Sequence, residues 1–376
     1  MGATFELFAA CLPGLEPTVA GELQALGLSP TNLRGGVAFR GGVVDAMRAA
    51  YWLGAASHVL VRLAEFRCRA LGELERKAAE LPWRDWLLPR TPRTVHATTR
   101  GSRIYHTGAA EERVGNAIER VLGAASPAGA GDDDAKANVH VRFRDDVCTL
   151  SIDATDTPLH RRGWRLETGK APLREDLAHA LVLAAGWRAD EPLVDPFCGS
   201  GTIAIEAAGL ARGLPPGRLR PPPFAHLALF DEASWAAVPK TATPSGRTVF
   251  ASDRDAGAMA ATERNATRAG VREVLTLENA AIGATTTLRR DVQAEHGCVV
   301  TNPPFGRRVG AGKDLLPLYQ TLGARVAALG PGWRLCVVAH DPRLARGTAV
   351  PLRSVFTTRH GGLVVNALAS APRPSD

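Results

Sequence analysis

Two hydrophobic periods run along the chain, and the order in which they alternate changes near its middle. In the first half, residues 5–10 form a strand-like apolar run. Leu15, Val19, Leu23 and Leu26 then recur on one helical face until Gly27 stops the pattern. Residues 37–40 and 43–52 repeat this strand–helix pair. A second unit opens with a strand over 59–66, a helix over 71–81 and a strand over 95–99. Val114, Ile118, Val121 and Leu122 fall at helical spacing within 111–122. Residues 124–136 are rich in Ala and Gly and read as a loop. Its Asp132-Asp133-Asp134 run belongs to a solvated segment, because three consecutive carboxylates rarely converge on one ion. Residues 139–143 and 147–152 alternate around Asp145-Asp146 as a hairpin.

From Leu173 the rhythm becomes helix, strand, helix, strand. Helices are predicted over 177–187, 202–211, 256–269 and 315–329. Strands are predicted over 193–195, 249–252, 274–277, 299–301 and 335–339. Such alternation implies an α/β fold, a parallel sheet with helices on both faces. The end differs: residues 354–358 and 364–369 flank Arg359-His360-Gly361-Gly362, a hairpin signal that brings the last strand in antiparallel. No repeat of fixed period is visible.

A chain of 376 residues suggests two or three domains. With 45% apolar and 22% charged residues it has material for a core, which excludes global disorder. No stretch approaches the ~18 consecutive apolar residues of a membrane span. The first fifteen residues lack a basic flank, and Glu6 stands where myristoylation needs Ser or Thr, so a cytoplasmic protein is expected. Six scattered cysteines without a C-x-x-C pair imply reduced thiols rather than a zinc site, and no metal is expected. The net charge of +7 is compatible with a nucleic-acid partner, but both halves share it.

Residues 193–206, L-V-D-P-F-C-G-S-G-T-I-A-I-E, carry a strand into a glycine-rich turn and then a helix. Gly199 and Gly201 allow close backbone approach, and the helix N-terminus offers free N–H groups. Without a following Lys this is no Walker loop, and without a third glycine it is no G-x-G-x-x-G fingerprint. An acid opening the loop suits a ligand with an ammonium or sulfonium, so Asp195 is a candidate for the amino-acid portion of S-adenosylmethionine. Residues 249–253, V-F-A-S-D, place Asp253 at the next strand tip, where a carboxylate meets ribose hydroxyls. It competes with a role as N-cap, which Asp255 is also placed to fill.

Residues 299–306 read V-V-T-N-P-P-F-G. Two prolines exclude helix and ladder pairing and fix the backbone. Asn302 offers a side-chain carbonyl, Pro303 its backbone carbonyl and Phe305 a flat face, with Pro304 stiffening the turn. Two acceptors and a stacking ring suit an exocyclic amine on a planar base. They would hold its nitrogen in line with a methyl sulfonium.

Together D-P-F-C-G-S-G-T, A-S-D-R-D and T-N-P-P-F-G resemble the class I S-adenosylmethionine-dependent amino-methyltransferases. More narrowly, the chain resembles the THUMP-domain RNA guanine-N2 methyltransferases, in the branch that modifies large-subunit ribosomal RNA. L-P-G-L-E at 12–16, L-H-R-R-G-W-R at 159–165, A-P-L-R-E-D-L at 171–177 and L-P-P-G-R-L-R at 214–220 carry that narrower likeness. N-A-T-R-A-G-V at 265–271 and L-Y-Q-T-L-G at 318–323 add to it.

The resemblance implies a ferredoxin-like part over 1–55, a THUMP RNA-binding domain over 56–155, a linker over 156–172 and a methyltransferase domain over 173–376. That last domain would be Rossmann-like, a mostly parallel seven-stranded sheet with an antiparallel last strand. Asp195, Pro196, Phe197, Gly199, Ser200, Gly201 and Thr202 would surround the cofactor's methionine part, with Asp253 and Arg254 at its ribose. Asn302, Pro303, Pro304 and Phe305 would form the catalytic pocket. Asn279 stands where the family usually has an acid for the adenine amine, and an amide oxygen can still accept that bond.

The resemblance also implies an RNA partner. Arg84, Arg93, Arg100 and Arg103 lie near Trp83, Trp86 and Tyr105, a mixture suited to phosphate contact and stacking. Arg161 and Arg162, and Arg307 and Arg308 after the acceptor motif, are further candidates. Arg212, Arg218 and Arg220 form another basic cluster. Three alternatives stay open: tRNA as substrate, adenine N6 as acceptor, and a non-enzymatic RNA-binding or assembly factor. Oligomeric state is not specified, with a monomer as the default.

Overall fold

The computed structural model describes residues 3–125, 136–166, 173–244, 248–289, 294–304 and 314–371. Two seven-stranded sheets account for the strands among them. The first comprises β1 (Phe5–Cys11), β2 (Thr31–Leu33), β3 (Gly36–Gly41), β4 (Ala56–Arg67), β5 (Arg93–Arg100), β6 (Ala137–Arg144) and β7 (Val147–Asp153). Helices α1 (Glu16–Ala25), α2 (Val43–Trp52), α3 (Leu71–Ala79) and α4 (Thr107–Leu122) belong to this half. The strand order is β2-β3-β1-β4-β7-β6-β5, antiparallel throughout except for the β5–β6 pair. Burial alternates cleanly on β6, where Val139, Val141 and Phe143 share a core with Val114 and Ile118 of α4.

The expected division at residue 55 falls at the start of β4. That twelve-residue strand pairs with β1 on one side and β7 on the other, so a single continuous sheet runs across the division.

The second sheet comprises β8 (Leu193–Asp195), β9 (Val249–Asp253), β10 (Leu275–Asn279), β11 (Gly297–Thr301), β12 (Trp333–Ala339), β13 (Arg353–His360) and β14 (Leu363–Ala369). Helices α5 (Glu175–Ala184), α6 (Thr202–Ala211), α7 (Glu232–Ala236), α8 (Ala256–Arg268), α9 (Leu316–Leu329) and α10 (Pro342–Gly347) accompany it. Its order is β10-β9-β8-β11-β12-β14-β13, parallel from β10 to β12, with β14 inserted antiparallel beside β12. Strands β11 and β12 are buried along their whole length, as a sheet covered on both faces requires. The chain order reverses at β8, whose neighbours are β9 and β11. That is the crevice where open parallel sheets bind ligands.

The sequence does not announce β2, α7 or α10. They are three to six residues long and held by local bonds, such as the Asp231 carboxylate capping α7 through Ser234 N–H at 2.8 Å. No helix among the described residues is long and apolar enough to cross a membrane. All six cysteines are free thiols.

Candidate active site

The glycine loop joins β8 to α6. Gly201 takes φ +86°, a left-handed conformation that L side chains avoid, and an added Cβ would sit 2.7 Å from Thr262 Cγ2. Helix α8 holds the loop by its carbonyls: Thr262 Oγ1 donates to Gly199 O at 2.8 Å, and Asn265 Nδ2 to Ser200 O at 3.1 Å. Both of these side chains are buried. Their positioning role is invisible in sequence: Thr262 lies in no motif, and the stretch that Asn265 opens gives no sign of the carbonyl it binds.

Asp253 ends β9 and reaches the same loop. Its Oδ2 accepts from Gly199 N–H at 3.0 Å and its Oδ1 from Asp255 N–H at 3.0 Å. Asp255 caps α8, accepting from Gly257 N–H and Ala258 N–H, so Asp253 does not have that task. Asn279, at the tip of β10, donates from Nδ2 to Asp253 O at 2.8 Å, and Arg254 is exposed beside it. Strands β8, β9 and β10 are neighbours, so Asp195, Asp253 and Asn279 form one ledge along their C-terminal ends.

Asp195 is buried under that ledge. It accepts from Thr301 Oγ1 at 2.6 Å and from Phe197 N–H at 3.3 Å, which ties β8 to β11. Burial, with Asp253 nearby, pushes its carboxyl up to about 7 although those two donors oppose the rise. Adjacent β11 delivers Asn302, whose Oδ1 is buried without a hydrogen-bond partner among the described residues. Pro303 is buried, and Pro304 O accepts from Tyr319 Oη of α9 at 3.4 Å. Phe305, Arg307 and Arg308 lie outside the described residues, as does the Asp132 to Asp134 run.

These residues fit S-adenosylmethionine. A buried carboxyl that gains by ionising beside a cation could hold its amino-acid portion, and the carboxylate and amide at the ledge could accept from its ribose and adenine portions.

One arginine read as an RNA contact is buried, and others bond within the fold. Arg162 is 1% exposed, and its guanidinium bonds Glu206, Leu159 O and Gly54 O, so it is an internal staple and not an RNA-facing group. Arg84 Nη2 donates to Val121 O at 2.5 Å and Arg93 Nη2 to Gly123 O at 2.7 Å, where both satisfy carbonyls at the α4 C-terminus. Arg212 pairs with Glu273, while Arg218 and Arg220 donate to Ala269 O and Ala50 O. Arg100, Arg103 and Arg161 are exposed. Arg165, of the same basic cluster as Arg161 and Arg162, bonds Glu175 and Thr202 Oγ1, which braces the start of α6 from the connector.

Comparison with known proteins agrees with this geometry. Residues 162–353 match the family described as RMKL-like, methyltransferase domain, and residues 6–60 match the RlmL ferredoxin-like domain. The chain is 33% identical to a ribosomal RNA large subunit methyltransferase K/L of Syntrophotalea carbinolica over 96% of its own length and 53% of the relative's. It thus spans about half the length of the curated relatives it matches. A candidate methyltransferase complexed with SAH superposes with a TM-score of 0.86 at 25% identity, each chain covered fully. A protein of Listeria monocytogenes described as a predicted N6-adenine-specific DNA methylase superposes at 0.81 with 27% identity, covering 97% of this chain and 96% of that one. The matched region and the fold converge: the chain belongs to the RMKL-like methyltransferase family, class I enzymes that use S-adenosylmethionine.

Proposed function

We propose that the chain transfers the methyl group of S-adenosylmethionine to the exocyclic N2 amine of a guanosine in structured RNA, with large-subunit ribosomal RNA ahead of tRNA. This reading rests on the buried Oδ1 of Asn302, which has no hydrogen-bond partner among the described residues and lies one strand from the ledge. An unpaired buried carbonyl costs about 1–3 kcal/mol, and an arriving amine N–H relieves it. The carbonyl of Pro303 is the second acceptor and Phe305 the stacking face. Held by two acceptors, the nitrogen turns its lone pair toward the sulfonium methyl that the bound cofactor supplies. An amide is no base, so the proton leaves after transfer. Asp195 and the loop from Pro196 to Thr202 hold the amino-acid portion, Asp253 and Arg254 the ribose, and Asn279 the adenine amine.

The preference for ribosomal RNA draws on the K/L relative. In this reading residues 1–55 and 56–155 dock RNA, 156–172 link, 173–376 catalyse, and the enzyme works in the cytoplasm. One observation favours a second reading: the Listeria neighbour is described as adenine-directed, and the same acceptors would serve adenine N6. The test is incubation of the purified chain with labelled cofactor and deproteinised ribosomal RNA or tRNA, followed by nucleoside chromatography. Label in N2-methylguanosine supports the proposal. Label in N6-methyladenosine transfers it to the second reading. Cofactor binding without label in either RNA would point to an RNA-binding or assembly role.

A further inference from the structure

Several arginines clustered in the sequence bond within the fold, but a set drawn from distant strands, Arg100 among them, gathers on the N-terminal sheet. One face of that sheet is apolar: Val61 of β4, Leu150 of β7, and Val141 and Phe143 of β6 are all buried. Alternation puts Arg62 of β4 and Arg142 and Arg144 of β6 on the other face, with Thr98 and Arg100 of β5 directly beside the latter two. Thr98 and Arg100 are exposed, and Arg62, Arg142 and Arg144 half-buried.

The fifth member comes from the far edge. Arg34 occupies the two-residue turn between β2 and β3, yet it lines the same cavity of about 120 Å³ as Arg100, Arg142 and Arg144. Twist accumulated over seven strands therefore folds the polar face into a trough.

The charges there are poorly balanced. Burial, and then Arg144, Arg62 and Arg34, hold the Arg142 guanidinium below its usual range, with Glu65 opposing. Glu65 is itself exposed and engaged by Thr149 Oγ1. Arg144 reaches Asp145 at 3.6 Å, but that carboxylate is 77% exposed, where an ion pair is weak. Further along the same face, Asp153 is engaged by His58 at 2.6 Å and lies 3.5 Å from His140. Arg62 is pinned over the Phe8 ring at 4.6 Å. Four guanidiniums line one concavity, with Arg62 on the same face beside it; such charges repel each other unless an anion enters, and the planar fork of arginine matches phosphate oxygens. From β4 to β5 the face crosses three inter-strand spacings, roughly 14 Å, which is room for more than one phosphate.

We propose that this trough binds the phosphodiester backbone of the RNA substrate, with Arg34, Arg142 and Arg144 as the central contacts and Arg62 and Arg100 at its ends. The proposal rests on the RNA reading above, and it moves the principal RNA contacts away from the arginine clusters visible in sequence.

The test is fluorescence anisotropy of a labelled RNA hairpin against the full chain across a series of KCl concentrations. The variants are the triple Arg34→Gln/Arg142→Gln/Arg144→Gln, the same triple to Lys, the single Arg34→Gln and, as a control in the other half, Arg188→Gln. Loss of three phosphate contacts should reduce the log–log salt slope by about 2–3 and weaken binding at least tenfold at low salt. The Lys triple should keep the slope, Arg188→Gln should match the parent, and cofactor affinity should be unchanged in all. A Gln triple with parental slope and affinity overturns the proposal. If the Gln triple is unfolded, the exposed turn variant Arg34→Gln decides: a slope lower by about 0.7–0.9 supports the trough and an unchanged slope overturns it. Methyl transfer by a parent whose Gln triple binds normally would remove the trough and leave the catalytic reading standing. Trough-dependent binding without any transfer would do the reverse.

Discussion

Arg162 and Glu206 form a fully buried ion pair, with Nε to Oε1 at 3.1 Å and Nη2 to Oε2 at 3.2 Å. Arg162 lies in the connector after the first sheet, and Glu206 lies in the helix that begins at the glycine loop. Arg162 also donates to Gly54 O at 2.6 Å, while Glu22 of α1 receives the Gly54 and Ala55 N–H groups. His179 of α5 closes the network between Glu206 at 2.9 Å and Glu22 at 3.2 Å. The N-terminal sheet and the cofactor helix are thereby fixed to one charged cluster. Removing one partner strands a buried charge, so Arg162→Ala is expected to cost about 3–5 kcal/mol. Urea denaturation measures it, and a loss below 1 kcal/mol would contradict the account.

His179 gives that network a pH signature. Burial disfavours its charged form, but hydrogen bonds to Glu206 and Glu22 outweigh burial and hold its pKa up at about 9. A folded value above the ordinary 6.5 stabilises fully below that pH, and the contribution disappears as pH rises through about 9. The stability gap between the parent and His179→Gln should therefore shrink between those two values. A gap constant from pH 6 to 9.5 would argue that the imidazole is neutral in the fold.

Asp195 titrates in the opposite sense for the ligand. Its carboxyl is raised to about 7 by burial and by Asp253, and a bound ammonium or sulfonium favours the ionised form. Cofactor affinity should rise as pH increases through 7, with proton release on binding near neutrality. Calorimetry in buffers of different ionisation enthalpy reads both. Asp195→Asn should bind at least tenfold more weakly, with a flat profile over the same range. A pH-independent parent would remove Asp195 from the binding step.

Asn302→Ala should leave cofactor affinity within about twofold and reduce turnover by about 10²–10³, because the lost acceptor matters most in the transition state. Equal turnover in single-turnover assays would sink the pocket assignment. The same variant removes a buried oxygen that has no partner among the described residues, so its stability should not fall.

Much of the fold was legible because its signals are local. The stretch from Asp195 to Thr202 shows a strand, a glycine turn and a helix in eight residues, and the β13–β14 hairpin is announced by Gly361-Gly362. Thr262 and Asn265 were not legible as loop-holding groups, since they sit on a helix some sixty residues beyond the carbonyls they bind. Arg162 misled for the same reason. Arg162 looked like its exposed neighbour Arg161, and only the packed fold brings Glu206 and Gly54 against it. Conversely Arg34 and Arg142 stand 108 positions apart in the chain, and the twist of the sheet unites them.

Nucleoside mass spectrometry of ribosomal and transfer RNA fractions from a strain lacking this chain, set against its parent, tests directly whether the chain methylates guanosine N2. The account predicts loss of N2-methylguanosine from large-subunit ribosomal RNA, restored by the parental chain and not by Asn302→Ala. Unchanged N2-methylguanosine in both RNA fractions would contradict it.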